Sequence, residues 1–391
     1  MMKKVAILHA SNTFNNGSFM LLINAISLLR KKHKDLTLYI EWNTDEDKHR
    51  ILEETQCHDI IQELKLDICK TTNKSLPAKL INLYHKIFSH GALMKKMGID
   101  EVVILGGDDF SEYYKGGHII FDLWRIKNYS KHLKVKMPSQ SIGPFYGLRQ
   151  WWARRCLVNT EIYCREAISF DYCRQELGLK NLHLSADLAF TDLIKQKEVN
   201  TAGQGSRSVV VVPGGHYKLY TSNYELYMKQ WLGIITVLLE TEALKDMKLL
   251  LLPHVTRPED DRHIIKEICE NIASDRIQAV TEEKKPSELR ALIGASYFTV
   301  TSRMHPAISA FNQGKAAIVM AHSIKYHGII SQAFGLEKLM VKEKAWQQQS
   351  AVGDFASALN YLLSDIESIE KDISLKTGNY KETLSRHMQD I

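Results

Sequence analysis

Arg303 and His305 stand two residues apart in the segment Thr301-Ser302-Arg303-Met304-His305-Pro306-Ala307-Ile308-Ser309-Ala310. An apolar run, Tyr297-Phe298-Thr299-Val300, precedes them and reads as a buried strand, and the helical pattern that follows closes at Gly314. The pair therefore falls where a strand hands over to a helix N-terminus. Backbone N–H groups and the positive end of the helix dipole converge there and favour an anion. Arginine adds a fixed fork for phosphate or carboxylate, and histidine adds a group that titrates near neutrality. This spacing suits acid–base chemistry on an anionic substrate. It equally suits a buried arginine paired with a carboxylate beside a capping histidine.

Other chemistry-bearing residues close apolar runs in the same way. Gly106-Gly107-Asp108-Asp109 ends one run, Ser141-Ile142-Gly143-Pro144 follows another, and Arg165-Glu166 follows a third. Pro213-Gly214-Gly215-His216 and Pro253-His254 end two more. The Gly-Gly pairs let a ligand approach the backbone closely, but neither belongs to a Gly-x-Gly-x-x-Gly or Walker pattern. Asp108 and Asp109 are able to ligate a divalent cation. Adjacent residues on an extended chain point to opposite sides, however, which favours a cap or loop hydrogen bond. No His/Cys cluster has zinc spacing, so no metal is expected. Arg165 suits either an anion or a brace through Glu166. His216, His254 and Lys325 suit either an anion contact or a solvated loop.

The elements that must carry these residues alternate. Val5 to Leu8, Leu36 to Trp42, Val102 to Leu105, Lys134 to Ile142 and Glu161 to Cys164 read as strands. Phe19, Leu22, Ile23, Ile26 and Leu29 recur at helical spacing after a polar loop that contains Asn15-Asn16-Gly17-Ser18. The polar stretch Asn200-Thr201-Ala202-Gly203-Gln204-Gly205-Ser206 reads as a linker. Beyond it the pattern restarts with Ser208 to Val212, Leu249 to Leu252, Ile277 to Val280, Tyr297 to Val300 and Ala316 to Met320. The expectation is an α/β chain of two Rossmann-like, doubly wound domains facing a cleft. They would span residues 1–199 and 206–372, with a polar tail at 373–391. In such sheets ligands bind beyond the carboxyl ends of the strands, where the candidate residues cluster.

The chain of 391 residues has 45% hydrophobic and 25% charged residues, ordinary values for a globular protein of two domains. A net charge of +6 is too modest for a dedicated nucleic-acid binder and fits small anions or an anionic membrane surface. The six cysteines (57, 69, 156, 164, 173 and 269) include no Cys-x-x-Cys pair and suggest buried, reduced thiols in a cytoplasmic protein. The apolar part of the N-terminus is too short for a signal peptide, and no run is long enough to span a membrane. Two basic amphipathic stretches, residues 80–88 with Lys95-Lys96 and residues 149–155 with Trp151-Trp152, suit a membrane interface. Packing of their apolar faces on a sheet is the favoured expectation.

Ser302-Arg303-Met304-His305-Pro306-Ala307-Ile308-Ser309-Ala310, Gly314, Ile318-Val319-Met320 and Ser323-Ile324-Lys325-Tyr326-His327-Gly328 together resemble the C-terminal signature of polysaccharide pyruvyl transferases. Gly106-Gly107-Asp108-Asp109, Ser141-Ile142-Gly143-Pro144, Arg165-Glu166-Ala167-Ile168-Ser169, Ala186-Asp187-Leu188-Ala189-Phe190 and Asn15-Asn16-Gly17-Ser18 are similar to further family pieces, in the same order. The resemblance spans roughly residues 5 to 340. It implies a GT-B-like arrangement of the two domains. It also implies transfer of a pyruvyl group from phosphoenolpyruvate to a hydroxyl pair of a cell-surface polysaccharide or its lipid-linked precursor, without a cofactor. His305 and Arg303 would then be catalytic. Arg303, Arg165, Lys325, His216, Gly214 and Gly215 would hold the donor. Asn15, Gly17, Gly107, Asp108, Asp109, Ser141 and Gly143 would line the acceptor side, with a nucleotide-sugar glycosyltransferase or a non-catalytic glycan-binding protein as alternatives. The partners implied are the donor and a sugar or lipid-linked acceptor; the net charge and the two basic stretches add an expectation of peripheral contact with the inner membrane face and none of nucleic acid.

Overall fold

The computed structural model describes residues 2–66, 75–112, 119–195 and 208–388. It divides into two compact units. The first comprises Met1–Asn12, Leu21–Leu188 and Thr383–Ile391; the second comprises Thr13–Met20 and Ala189–Glu382.

The first unit holds seven strands: β1 (Lys3–Leu8), β2 (Leu36–Ile40), β3 (Ile61–Glu63), β4 (Glu101–Ile104), β5 (Lys134–Gln140), β6 (Glu161–Cys164) and β7 (Leu182–Leu184). They form one parallel sheet in the order β3-β2-β1-β4-β5-β6-β7. The second unit holds β8 (Ser208–Val212), β9 (Lys248–Leu251), β10 (Ile277–Ala279), β11 (Thr299–Thr301), β12 (Ala317–Met320) and β13 (Met340–Val341). Its parallel sheet runs β10-β9-β8-β11-β12-β13. Strands such as Ser208-Val209-Val210-Val211-Val212 and Ala317-Ile318-Val319-Met320 are nearly continuous apolar runs because a parallel sheet is covered on both faces. Val209 to Val211 stand opposite Leu249 to Leu251, and Val210 to Val212 stand opposite Thr299 to Thr301. In each sheet the strand order reverses at the centre, between β1 and β4 and between β8 and β11. Loops leaving those strands diverge and open a crevice for ligands.

The boundaries differ from those expected. The linker at 200–206 lies outside the described residues. The loop 13–20 belongs to the second unit, so the helix Asn16–Lys32 gives only its first turn to that unit. The tail expected at 373–391 is helical through Met388, in the helix Ile366–Met388. Ile373 and Leu384 are buried, and the Thr377 hydroxyl donates to the Phe311 carbonyl at 3.0 Å. The described cysteines carry no disulfide, and Cys69 lies outside the described residues. Among the described residues no helix is long and apolar enough to cross a membrane.

Candidate functional site

In the second unit, β8 and β11 deliver their loops side by side. The Gly214 N–H donates to the Ser302 hydroxyl at 2.7 Å, which ties the two loops together. Arg303 is the N-cap position of the helix Met304–Asn312, and its side chain does not cap. Pro306 sits in the first turn, where a missing N–H costs no helical bond. The guanidinium instead turns to Asp261, which is fully buried, with Nη2 2.5 Å from its carboxylate. The same carboxylate accepts from the N–H groups of Gly215 (2.8 Å), His254 (3.1 Å) and Val255 (2.9 Å). Glu259 stands 4.0 Å from Nη2. Burial alone would lower the Arg303 pKa; Asp261 and then Glu259 outweigh it and hold the pKa above its ordinary value. Arg303 Nε is buried and finds no acceptor among the described residues.

His216 and His254 stand close enough to feel the charge of this guanidinium, and His305 stacks on His254. The rings of His254 and His305 lie parallel, with centroids 6.5 Å apart. Asn16 donates to the His254 carbonyl through its backbone N–H (3.2 Å) and its side-chain amide (3.0 Å), and Asn15 bridges to Val255. That docking carries the loop 13–20 onto the second unit. It sets Gly17 against the His305 ring so closely that a Cβ there would collide with Nδ1. His216 is 8% exposed, and neither ring nitrogen has a hydrogen-bond partner among the described residues. Burial, then the charges of Arg303, His322 and Lys325, push its pKa well below the ordinary value. His254 is driven down likewise by burial, then by His305 and Arg303. Both rings are therefore neutral at pH 7. Lys325 lies in the short helix Ile324–Tyr326, with its ammonium 5.5 Å from the Tyr326 ring centre. The Tyr326 hydroxyl donates to the Ser302 carbonyl at 2.9 Å.

The first unit repeats the plan at its own strand reversal. Gly106 and Gly107, just beyond β4, adopt φ of +116° and +63°, a region that favours glycine. Arg165 follows β6 and is 1% exposed. Its Nε donates to Ser141 at 2.8 Å and its Nη1 to the buried Asp187 at 2.7 Å. Nη2 lies 4.0 Å from Asp108 and makes no hydrogen bond among the described residues. Burial opposes the charge on Arg165, but Asp187 and Asp108 outweigh it and raise its pKa. The brace expected through Glu166 is not the one found: Glu166 caps the helix Ala167–Gln175, accepting from the Ser169 N–H. The N–H groups of Asp108 and Asp109 both turn back to the Gly106 carbonyl, and the Asp109 carboxylate lies 3.8 Å from His9 Nδ1. Gly143 has φ +82° and packs its Cα against the Tyr172 ring. Among the described residues no group of three His, Cys, Asp or Glu side chains is placed to hold a metal ion.

The residues singled out from the sequence thus form two groups. Arg303, His305, His216, Gly214, Gly215, Lys325, Asn15 and Gly17 belong to the second unit. Arg165, Gly107, Asp108, Asp109, Ser141 and Gly143 belong to the first. Asn15 and Gly17, expected with the first unit's strand ends, are corrected to the second by the bonds to the His254 loop. Sequence reasoning missed Asp261, which no quoted motif contains. Ser302, Asn16 and Asp187 stood inside quoted motifs without an assigned role, and His254 was weighed as an anion contact or a loop histidine.

The model of the polysaccharide pyruvyl transferase family matches residues 15–324, most of the chain. The chain belongs to that family. No curated protein sequence matches it. Among solved structures, a putative UDP-N-acetylglucosamine 2-epimerase from Listeria monocytogenes aligns with a TM-score of 0.64 and 11% identity, covering 100% of this chain and 97% of its own. A UDP-GlcNAc 2-epimerase from Neisseria meningitidis, solved with UDP-GlcNAc, gives 0.59 and 13%, covering 98% and 100%. A glycosyltransferase from Rickettsia africae gives 0.57 and 11%, covering 99% and 96%. At these identities the likeness shows the fold alone, the GT-B-like α/β architecture.

Proposed function

We propose that this pyruvyl transferase takes its pyruvyl group from phosphoenolpyruvate and sets it on two hydroxyls of one sugar as a cyclic ketal. The acceptor would be a cell-surface polysaccharide or its lipid-linked precursor, met in the cytoplasm where the donor is made. One observation carries the reading: Arg303 Nε, at the N-terminus of the helix Met304–Asn312, is buried and finds no acceptor among the described residues, with the buried His216 ring in the adjoining loop. Buried polar atoms left unmade cost about 1–3 kcal/mol each, and an anion from the donor would satisfy them. Neutral His216 donates through one nitrogen, and Arg303, already oriented by Asp261, offers the rest of its fork. Lys325 adds a point charge. Arg165, with Nη2 open among the described residues, is a similar fork within the first unit and suits an anion there.

In this scheme the methylene carbon of the donor gains a proton, and the electron-poor enol carbon is attacked by a sugar hydroxyl that loses its own. The carbon–oxygen bond to phosphate then breaks, and a second hydroxyl of the same sugar adds to that carbon with loss of its proton. The products are the ketal and phosphate. His305, on the first turn of its helix and held by Gly17 and His254, performs one of these proton transfers. No metal or cofactor enters the scheme. The test is phosphate release from phosphoenolpyruvate with a panel of nitrophenyl and lipid-linked sugars, run beside UDP-sugars. Turnover that needs phosphoenolpyruvate and disappears in Arg303→Ala supports the reading; turnover with a UDP-sugar alone overturns it.

A further inference from the structure

The amphipathic stretches pack only in part as expected: Ala153, Cys156 and Leu157 on the helix of the second are buried in the core of the first unit, while other apolar side chains of both are left in solvent. In the helix Leu76–Phe88, Leu76, Leu80, Ile81 and Tyr84 share one face and are exposed, Leu76 at 72% and Tyr84 at 59%. From Tyr84 a row of rings runs across the neighbouring helices of the first unit. Tyr84 meets Phe88 at 4.9 Å, Phe88 meets Trp124 at 5.0 Å, Trp124 meets Trp152 at 5.5 Å, and Trp152 meets Trp151 at 6.1 Å. Trp151 is 52% exposed, and Leu148 on the same helix is 86% exposed. Cations stand on this row: Lys127 over Trp152 at 5.2 Å and Arg155 over Trp151 at 4.5 Å. The segments 75–99, 119–132 and 147–158 hold ten Lys and Arg against one acid, Asp122, an excess larger than the whole chain's +6.

We infer that this face docks the protein on an anionic lipid bilayer. Aromatic rings with an apolar body and a polar rim settle at the headgroup level, and the surrounding cations meet the negative surface. Protein–protein interfaces deplete lysine, whereas Lys79, Lys95 and Lys96 are exposed on this side of the chain. Arg125 and Arg149 are paired with Asp122 and Glu112, and the remaining cations give the face a positive excess that an anionic bilayer complements. The inference goes beyond the transfer reaction and does not rest on it.

The test is sedimentation of the full chain with vesicles of phosphatidylcholine alone or mixed with phosphatidylglycerol, without donor or acceptor. Binding is expected on the mixed vesicles at low salt, and added salt weakens it. Lys95→Ala/Lys96→Ala/Arg154→Ala should lower the partition constant about 10²-fold, near fivefold per basic residue. Leu80→Ser/Tyr84→Ser should remove the binding that survives salt. Both variants should keep the parent's circular dichroism and its turnover on a soluble sugar. A parent protein that stays in the supernatant, or variants that bind like the parent, would overturn the inference. So would a parent dimer that Leu80→Ser/Tyr84→Ser dissociates without changing sedimentation, since the face would then belong to a second copy. Failure here leaves pyruvyl transfer standing, because sedimentation with vesicles is read without donor or acceptor.

Discussion

Asp261→Asn tests the frame behind Arg303. Each carboxylate oxygen serves two donors: Oδ1 takes Gly215 N–H and Arg303 Nη2, and Oδ2 takes the N–H groups of His254 and Val255. An amide turns one oxygen into an NH2 group. Whichever way it faces, two donors lose their acceptor and meet a donor instead. Arg303 also loses its buried counter-charge. Breaking a buried pair from one side costs about 3–5 kcal/mol. At 2–4 °C per kcal/mol, the melting of the second unit should fall by roughly 6–20 °C. A saturating anion should restore part of this. Phosphoenolpyruvate at about 100 times its Kd adds about 2.7 kcal/mol to any folded protein that binds it. In the variant the same anion also replaces the missing charge, so its melting shift should exceed that of the parent. Arg303→Ala is the control. It breaks the same buried pair from the other side, so it should also melt below the parent, but it should show no shift with the donor. Scanning calorimetry of the three proteins with and without donor decides the matter. An Asp261→Asn protein that melts within about 2 °C of the parent would refute the reasoning. A donor shift that persists in Arg303→Ala would refute it equally.

Three further outcomes are expected. His305→Asn should slow turnover by about 10²–10⁴ and remove one limb of the pH–rate profile while the donor's melting shift stays unchanged; a profile of unchanged shape with weakened donor binding would make His305 a contact and not the proton carrier. Gly17→Ala should lower kcat by up to about 10²-fold by displacing the His305 ring, with no loss of stability from the backbone, because alanine favours the helix that Gly17 belongs to; parent-like kcat would show that Gly17 does not set the ring's position. Stability should fall as pH drops below about 6.5, because the unfolded chain binds protons that buried His216 and His254 refuse; the slope is about 1.4 kcal/mol per pH unit for each histidine, and His216→Gln should halve their joint contribution in melts between about pH 6.5 and 5.

What the sequence made legible follows from where information is local. β1, β4, β8 and β11 are apolar runs followed by loops that contain glycine or serine, so these strands and their candidate residues could be read directly, though not the order in which they pair. β3, β7 and β13 are sheet-edge strands of two or three residues, too short to show a period. The placement of the loop 13–20 rests on bonds from Asn16 to His254, 238 positions away, which no local pattern encodes. Leu80, Tyr84 and Trp151 have the spacing of packing residues, and periodicity cannot tell a face that meets a sheet from one left in solvent.

The Arg303 question looks different once its partner is known. Ion pairing with a carboxylate and binding of an anion stood as alternatives for that residue, yet a guanidinium has five N–H donors and one carboxylate oxygen engages only some of them. Asp261 takes Nη2 and leaves Nε buried and open. Asp187 and Ser141 take Nη1 and Nε of Arg165 and leave Nη2 open. Each arginine follows a strand, is fixed by a fully buried aspartate, and keeps a donor that the described protein does not satisfy. An unpaired arginine would have to order its long side chain when an anion arrived, at a cost of about 1.5–2 kcal/mol in rotamer freedom. Here the aspartates have already ordered it, so under the proposed function the ion pairs and the anion binding are compatible, the first preparing each fork for the second.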